Sequence, residues 1–143
     1  MNNKVSRAVD LLKPLLFKSD TLGKGAELHH YGEFNKTEHS LTLPMWVSDI
    51  YEKAKEFENF GVRAPYYSLL VTTKDIALFD LNGVSLFDSA ISCGAKSHKE
   101  WNQILAEALD ILSIEAIVYA GREIFVGAPK NFLIPISSVS TNV

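Results

Sequence analysis

The chain has 143 residues, of which 47% are hydrophobic and 22% charged, and its formal net charge at pH 7 is −3. These values are typical of one globular domain with a buried core, and they exclude an intrinsically disordered chain. Basic residues form no block and dominate neither half of the sequence, which argues against dedicated nucleic-acid binding.

The sequence also indicates where the protein works. A single cysteine, Cys93, cannot form an intramolecular disulfide, which fits a reducing cytoplasm. Asp10 and Lys13 interrupt the apolar positions of the N-terminal segment, so this segment is not typical of a signal peptide. No apolar run has the length of a membrane span. We therefore expect a soluble, cytoplasmic protein that does not bind a membrane.

The first elements in chain order are a helix, a loop and a strand. Apolar side chains recur at helical spacing over residues 4–17, which predicts an N-terminal helix within residues 1–17, kinked at Pro14. Two glycines in residues 20–25 predict a loop. Residues 26–34 then fit a strand, whose alternate side chains would face opposite sides of a sheet.

A second helix and a group of strands follow. Apolar residues at helical spacing, with Pro44 in the first turn, predict a helix over residues 43–61. Beyond it, three apolar segments predict a β-meander, with a two-residue turn at Asn82-Gly83 before its last strand. The three strands are expected at residues 66–73, 75–81 and 84–89.

The last part of the chain is predicted to be one helix and three strands. Residues 97–112 have an amphipathic pattern, and Ser97 with Glu100 forms a capping box at its start. Gly121-Arg122 fits a tight turn between two strands, and Pro135 places the final strand at a sheet edge. The strands are expected at residues 115–120, 123–128 and 132–137, before a polar tail, residues 138–143, that is expected to fray.

Together these elements predict the fold class. We expect a single α+β domain over residues 1–143, with about three helices and a mainly antiparallel sheet of about six strands. Each of the last two predicted helices precedes three predicted strands, and Lys74-Asp75-Ile76 matches Arg122-Glu123-Ile124. This similarity is compatible with an α-β-β-β duplication, although hairpins reuse the same few residue types.

The segment ELHHYGEFNKTEH, residues 27–39, carries the densest metal-binding chemistry in the sequence. On a strand, Glu27, His29 and Glu33 would project from one side, and His39 could fold back toward them. Carboxylates and imidazoles are ligands of zinc and iron, so these four residues are candidates for a divalent metal site. The segment contains no established ligand motif. The alternative is a polar strand and loop that face solvent or a partner, and no other cofactor is predicted.

A second candidate for chemistry is the pair Cys93 and His98, which precedes the predicted helix over residues 97–112. A loop near a helix N-terminus can lower the pKa of a thiol, and a histidine can activate it as a base. No third residue that would orient the histidine is identifiable, and a lone cysteine is often simply buried.

Asp20 and the sequence Glu-Phe-Asn-Lys at residues 33–36 resemble the pattern of metal-dependent PD-(D/E)xK nucleases. The resemblance implies that Asp20 and Glu33 hold Mg²⁺ and that Lys36 helps to activate water. It covers the first half of the chain. It departs from the family pattern at Asn35, because the lysine follows one position later than the family places it.

Three aromatic residues are predicted to contact another protein. Trp46 lies at the start of the predicted helix over residues 43–61 but off its apolar stripe, and Tyr66 and Tyr67 follow Pro65. Tryptophan and tyrosine often anchor protein–protein contacts. We therefore expect Trp46, Tyr66 and Tyr67 to form an exposed interface.

Two classes of function follow. The first is a non-enzymatic protein-interaction module, such as an immunity or inhibitor protein, an anti-defence factor or a small subunit, whose acidic surface could meet a basic partner. The second is a metal-dependent hydrolase or nuclease that uses residues 20–39. A homo-oligomer is a further option, because an exposed edge strand at Pro135 can pair with a copy of itself.

Overall fold

The structure is a computed structural model that describes residues 3–81, 84–119 and 121–141. Within these ranges the chain forms four α-helices, eight β-strands in two sheets and one short 3-10 helix. The fold is a single α+β domain, mainly antiparallel, with more helices and strands than the sequence predicts. The elements are α1 (Asn3–Leu12), β1 (Phe17–Leu22), β2 (Glu27–Gly32), β3 (Met45–Val47), α2 (Tyr51–Lys55), β4 (Tyr66–Thr72), β5 (Ile76–Asp80), α3 (Leu86–Ser92), α4 (His98–Ile111), β6 (Ala116–Tyr119), β7 (Glu123–Val126), the 3-10 helix (Pro129–Asn131) and β8 (Leu133–Ser140).

The strands divide into a larger and a smaller sheet. The larger has the order β1-β5-β6-β7-β3 and the smaller the order β2-β4-β8. Neighbouring strands are antiparallel except β5 and β6, which are parallel. A parallel pair needs a long crossover connection, and α3 and α4 lie in the chain between these two strands.

Among the described residues, one isolated backbone pair joins the two sheets. His29 of β2 bridges to Ser48, the residue that directly follows β3. The N–H of each residue donates to the carbonyl oxygen of the other, at 2.8 Å from His29 and 3.0 Å from Ser48. An edge strand of the smaller sheet is thereby tied to the edge of the larger one.

Hydrophobic cores lie on both faces of the larger sheet. Between the sheets, Leu70 of β4 packs in one cluster with Leu78 and Ile124. On the opposite face, Ile117 and Phe125 pack in a second cluster with apolar side chains of α1, α3 and α4. Strands covered on both faces carry consecutive apolar residues, which explains why β6 and β7 are apolar at most positions.

The helix predicted over residues 43–61 is wrong for most of its length. Met45–Val47 form β3, which pairs with β7, and only Tyr51–Lys55 form an α-helix. A short apolar pattern does not distinguish a strand from a helix. The pairing with β7, which is distant in sequence, decides between the two in favour of the strand.

The strand predicted at residues 84–89 is also wrong, because Leu86–Ser92 form helix α3. The Ser85 hydroxyl caps this helix by accepting a hydrogen bond from the Asp88 N–H, at 3.2 Å. With a helix at this place the first α-β-β-β unit is not formed, so the duplication is wrong as well. The predicted turn at Asn82-Gly83 lies outside the described residues.

Strand β1 is missing from the sequence-based prediction. The N-terminal helix ends at Leu12, and β1 takes residues 17–22, which we expected as the end of that helix and part of a loop. Five of the six β1 residues are exposed, so no apolar alternation marks the strand. Its position is fixed by antiparallel pairing with β5.

The other predicted elements are confirmed, with small differences at their ends. The Ser97 hydroxyl accepts from the Glu100 N–H at 3.1 Å, as a capping box requires. The Glu100 carboxylate returns to the N–H of Lys96 rather than to that of Ser97, at 2.8 Å. No helix in the described ranges is long and apolar enough to cross a membrane. The confirmed elements are β2, β4, β5, α4, β6, β7 and β8.

Edge strand β8 is shielded against pairing with a further strand. Pro135 has no N–H, and the register with β4 shifts at Leu70. The Lys36 ammonium also donates to the carbonyl oxygen of Ile136 on this strand, at 2.8 Å. Proline, bulges and lysine are the usual protections of exposed sheet edges. The strand continues to Ser140, so residues 138–140 are extended where the sequence predicts a frayed tail.

Two phenylalanines, one buried and one exposed, allow the contribution of the core to stability to be compared with that of the surface. Phe125 is completely buried, whereas Phe87 is 68% exposed. We expect Phe125→Ala to lower the free energy of unfolding by about 3–5 kcal/mol, because it leaves a cavity. Phe87→Ala should change it by less than about 0.5 kcal/mol. Urea unfolding measures both, and a large loss in Phe87→Ala would contradict this assignment.

Candidate functional site

A groove of about 660 Å³ opens between α3, the first half of α4 and the segment that follows α2. We call it the aromatic groove. Its lining is mostly apolar, and six large side chains dominate it: Trp46, Phe57, Phe60, Phe87, Ile91 and Trp101. Concave, mainly apolar surfaces with few polar groups are the usual form of binding sites.

One wall of the aromatic groove is the outer face of α3. Phe87 and Ile91 are four residues apart on this helix, so both side chains lie on one face. They are 68% and 60% exposed, while Leu86, one position earlier, is buried in the core beneath. The cap at Ser85 fixes the start of the helix and therefore which face is turned outward.

The opposite wall comes from the chain after α2. Phe60 is 63% exposed. Its ring centroid lies 6.0 Å from that of Phe57 and 5.7 Å from that of His98, the first residue of α4. These ring contacts connect the segment after α2 to α4 across the aromatic groove.

The two tryptophans belong to the lining of the aromatic groove. Trp46 lies in β3, where its ring packs 5.2 Å from that of Phe125 and its Nε1–H donates to the Asn102 side-chain oxygen at 3.3 Å. Trp101 is buried, and its Nε1 has no hydrogen-bond partner among the residues that the structure describes. Trp46 is one of the three residues predicted at an interface. Tyr66 and Tyr67 do not line this groove.

Charged groups are sparse in the aromatic groove. Glu56, Lys96 and Glu123 line it. The carboxylate of Glu56 pairs with Lys53 at 3.4 Å. Glu123 is half-buried, and burial raises the pKa of its carboxyl, an effect that nearby Lys53 opposes and Glu56 reinforces.

A second cluster, of one histidine and three tyrosines, lies where β2, β4 and α2 meet. The Tyr67 hydroxyl is 2.6 Å from Nδ1 of His29, and the hydroxyls of Tyr31 and Tyr51 are 2.6 Å apart. Burial is the main cause that raises the pKa of both Tyr31 and Tyr67. Phenols with a raised pKa stay protonated at neutral pH, so this cluster is suited to hydrogen bonding rather than to nucleophilic attack.

The histidines of residues 27–39 have separate partners. His29 contacts Tyr67, His30 Nδ1–H donates to the Trp46 carbonyl at 2.6 Å, and the Asn35 N–H donates to His39 Nδ1 at 3.3 Å. Glu27 and Glu33 are exposed. Among residues 3–81, 84–119 and 121–141, no three His, Cys, Asp or Glu side chains are placed to hold one metal ion. The four candidate ligands therefore do not converge.

The three residues of the nuclease-like pattern also lie apart in their contacts. Asp20 of β1 accepts from the Arg122 guanidinium, Glu33 is exposed after β2, and Lys36 binds the Ile136 carbonyl on β8. Asp20 and Lys36 are thus engaged with different sheets. This arrangement gives no support to a shared metal and water.

Cys93 is the C-cap residue of α3, and its thiol is buried in the core. Burial raises the pKa of this thiol, and Arg7 only partly opposes that effect. A nucleophilic cysteine needs a lowered pKa. His98 is engaged with the ring of Phe60 instead.

Arg122 forms the most elaborate ion pairing that the structure shows. Its guanidinium donates to both carboxylate oxygens of Asp49, at 3.1 and 2.6 Å, and to Asp20 at 3.0 Å. The residue has a positive φ of 89° in the turn between β6 and β7. The bidentate geometry holds this turn against the segment after β3, and both carboxylates are used within the chain.

Sequence reasoning missed the exposed residues Phe60, Phe87 and Ile91. The strand predicted over residues 84–89 hid the shared face of the last two. The signal was nevertheless available: Ser85 followed three residues later by Asp88 matches the N-cap pattern that begins a helix. No comparable local signal marks Phe60, whose exposure depends on where the chain turns after α2.

No family model matches this chain, and no curated protein matches it either. A solved structure described as the crystal structure of the M. tuberculosis MbcT-MbcA toxin-antitoxin complex contains a similar chain. The two share 14% sequence identity and a TM-score of 0.44, over 94% of this chain and 91% of that one. This similarity is too weak to assign a function.

The pairing of Asp20 with Arg122 predicts a pH-dependent contribution to stability. The pKa of the Asp20 carboxyl is lowered from the ordinary value of 3.8, mainly because the Thr21 N–H and the Arg122 side chain donate hydrogen bonds to it. A carboxyl with a lowered pKa in the folded state stabilises the fold above its unfolded pKa, and this contribution is lost as pH falls through the folded pKa.

We therefore expect Asp20→Asn to have a lower Tm than the wild type at pH 7, and the difference to shrink as the pH falls below the ordinary pKa of 3.8. Calorimetry across this range measures the difference. A difference between the two proteins that is the same at every pH would show that ionisation of Asp20 is not its cause.

Proposed function

We propose that this chain is a protein-interaction module that binds an apolar segment of another protein in the aromatic groove. The observation that carries the proposal is the outward position of Phe60, Phe87 and Ile91, each at least 60% exposed and all lining one concavity. An inhibitor, an immunity protein and a small subunit of a complex are all modules of this kind.

The physical argument is the free energy of exposed apolar surface. Single exposed apolar residues are ordinary, but apolar side chains that line one concave surface mark an interaction site. Aromatic residues are enriched at the energetic centres of protein interfaces. Burial of the exposed rings by a partner would release about 25 cal/mol per Å² of apolar surface.

The shape of the site also favours a protein segment. A groove between two helices and a chain segment fits the mode in which an amphipathic helix lays its apolar face into a hydrophobic groove. Ring contacts of Phe60 with Phe57 and His98 hold one wall in position. A groove that is already formed lowers the ordering cost of binding.

A photo-crosslinking amino acid in place of Phe87 tests this function in the native cell. We expect it to capture a protein partner, because this side chain would lie inside the interface. The same amino acid in place of Ile111 is the matched control, since Ile111 is 48% exposed on α4 and lies outside the aromatic groove. Mass spectrometry of the crosslinked products identifies what each position contacts.

Substitution then shows whether capture depends on the groove. The double variant Phe60→Ser and Phe87→Ser should lose the captured partner in co-purification, while Ile111→Ser should retain it. Equal capture from both positions, or a partner that survives the double substitution, would refute the proposal. A product that contains only a second copy of this chain would assign the groove to self-association instead.

A further inference from the structure

Glu123 is the first residue of β7 and lines the aromatic groove. It is half-buried. Within residues 3–81, 84–119 and 121–141, its carboxylate has no hydrogen bond and no ion pair. A carboxylate in this position has lost part of its hydration without gaining a direct hydrogen bond or ion pair among the described residues, which is unfavourable.

The neighbouring charges relieve this situation only in part: Lys53 opposes the effect of burial on the Glu123 carboxyl, and Glu56 adds to it. Lys53 pairs with Glu56 at 3.4 Å, so the nearby cation already has a partner. Glu56 adds a second negative charge to the lining of the groove. Lys96, which lines the groove, lies close enough to Glu100 to lower the pKa of that carboxyl. The part of the groove that contains Glu123 and Glu56 is therefore negative overall.

We infer that the segment bound in the aromatic groove carries a basic side chain that forms an ion pair with Glu123. The occupant is thus an amphipathic segment of a partner protein with an apolar face and a lysine or arginine beside it. This inference rests on the proposed function, because it specifies the chemistry of the same site. Complementary charge of this kind contributes specificity and register in addition to the apolar contact.

Synthetic peptides of about 18 residues, long enough for a helix of about 27 Å, are suitable probes. Three peptides carry the same apolar face of leucines. The polar face consists of lysine in the first peptide, of glutamine in the second and of glutamate in the third. Fluorescence anisotropy of labelled peptides at physiological salt gives the Kd for each. We expect the lysine peptide to bind most tightly and the glutamate peptide most weakly.

The substitution Glu123→Gln isolates the inferred contact. It should weaken binding of the lysine peptide about fivefold to tenfold and leave the glutamine peptide unchanged, as for a partly exposed ion pair. Glu107→Gln is the matched control, since Glu107 is exposed on α4 outside the groove and carries the same charge. It should change binding less than twofold. Exposed charges separated by more than the Debye length, about 8 Å at physiological salt, are largely screened from each other.

The variants also separate the two proposals. If the glutamine peptide binds and Phe87→Ser abolishes that binding, but Glu123→Gln leaves the lysine peptide unaffected, the inference fails and the proposed function stands. If no peptide binds, or Phe87→Ser changes nothing, the proposed function itself fails. Circular dichroism confirms folding of each variant, and Glu123→Gln should be no less stable than the wild type because burial disfavours the charge that it removes.

Discussion

The short segment of residues 45–51 is the point on which the arrangement of the two sheets depends. Its first three residues form β3 and pair with β7 in the larger sheet. Ser48 exchanges two backbone hydrogen bonds with His29 in the smaller sheet. Asp49 binds Arg122 in the turn between β6 and β7. Five consecutive residues of this segment, 45–49, thus connect both sheets and one hairpin, and a change of register here would separate all three.

His30 shows how closely this segment is fitted to β2. Its Nδ1–H donates to the carbonyl of Trp46 at 2.6 Å, and burial lowers its pKa, which keeps the ring neutral. A side chain at Gly32 would place its Cβ 2.6 Å from Nε2 of the same ring. Glycine at this position therefore allows the histidine to reach Trp46, and Trp46 in turn lines the aromatic groove.

The sequence predicts those elements whose signal is local. Helix α4 has a capping serine, an amphipathic stripe and sufficient length, and β6 and β7 are continuous apolar runs. The failures occur where a distant contact decides. Met45–Val47 become a strand because β7 is available to pair, and β1 exists because β5 lies beside it. Propensity and periodicity contain no information about such partners.

The residues of the candidate site also divide into those that a local sequence signal marks and those that only distant contacts reveal. Trp46, predicted at an interface because it lies off the apolar stripe of the predicted helix, lines the aromatic groove, whereas Tyr67 contacts His29. Glu123 could not be recognised from sequence, because its significance arises from its half-buried place in the groove without a direct ion pair among the residues that the structure describes. A residue of this kind is visible only when every neighbouring side chain has been placed.

The position of β4 in the smaller sheet has a consequence for the order of folding. β4 spans Tyr66–Thr72 and lies between β2 and β8, which begins only at Leu133. Pairings between strands far apart in sequence form slowly, because a long loop must close first. During synthesis the β2–β4 pair therefore stays a two-stranded ribbon, of marginal stability, until the last part of the chain has left the ribosome. Chains interrupted before residue 133 would expose the hydrogen-bonding edge of β4, and such unpaired edges make incomplete chains prone to aggregate.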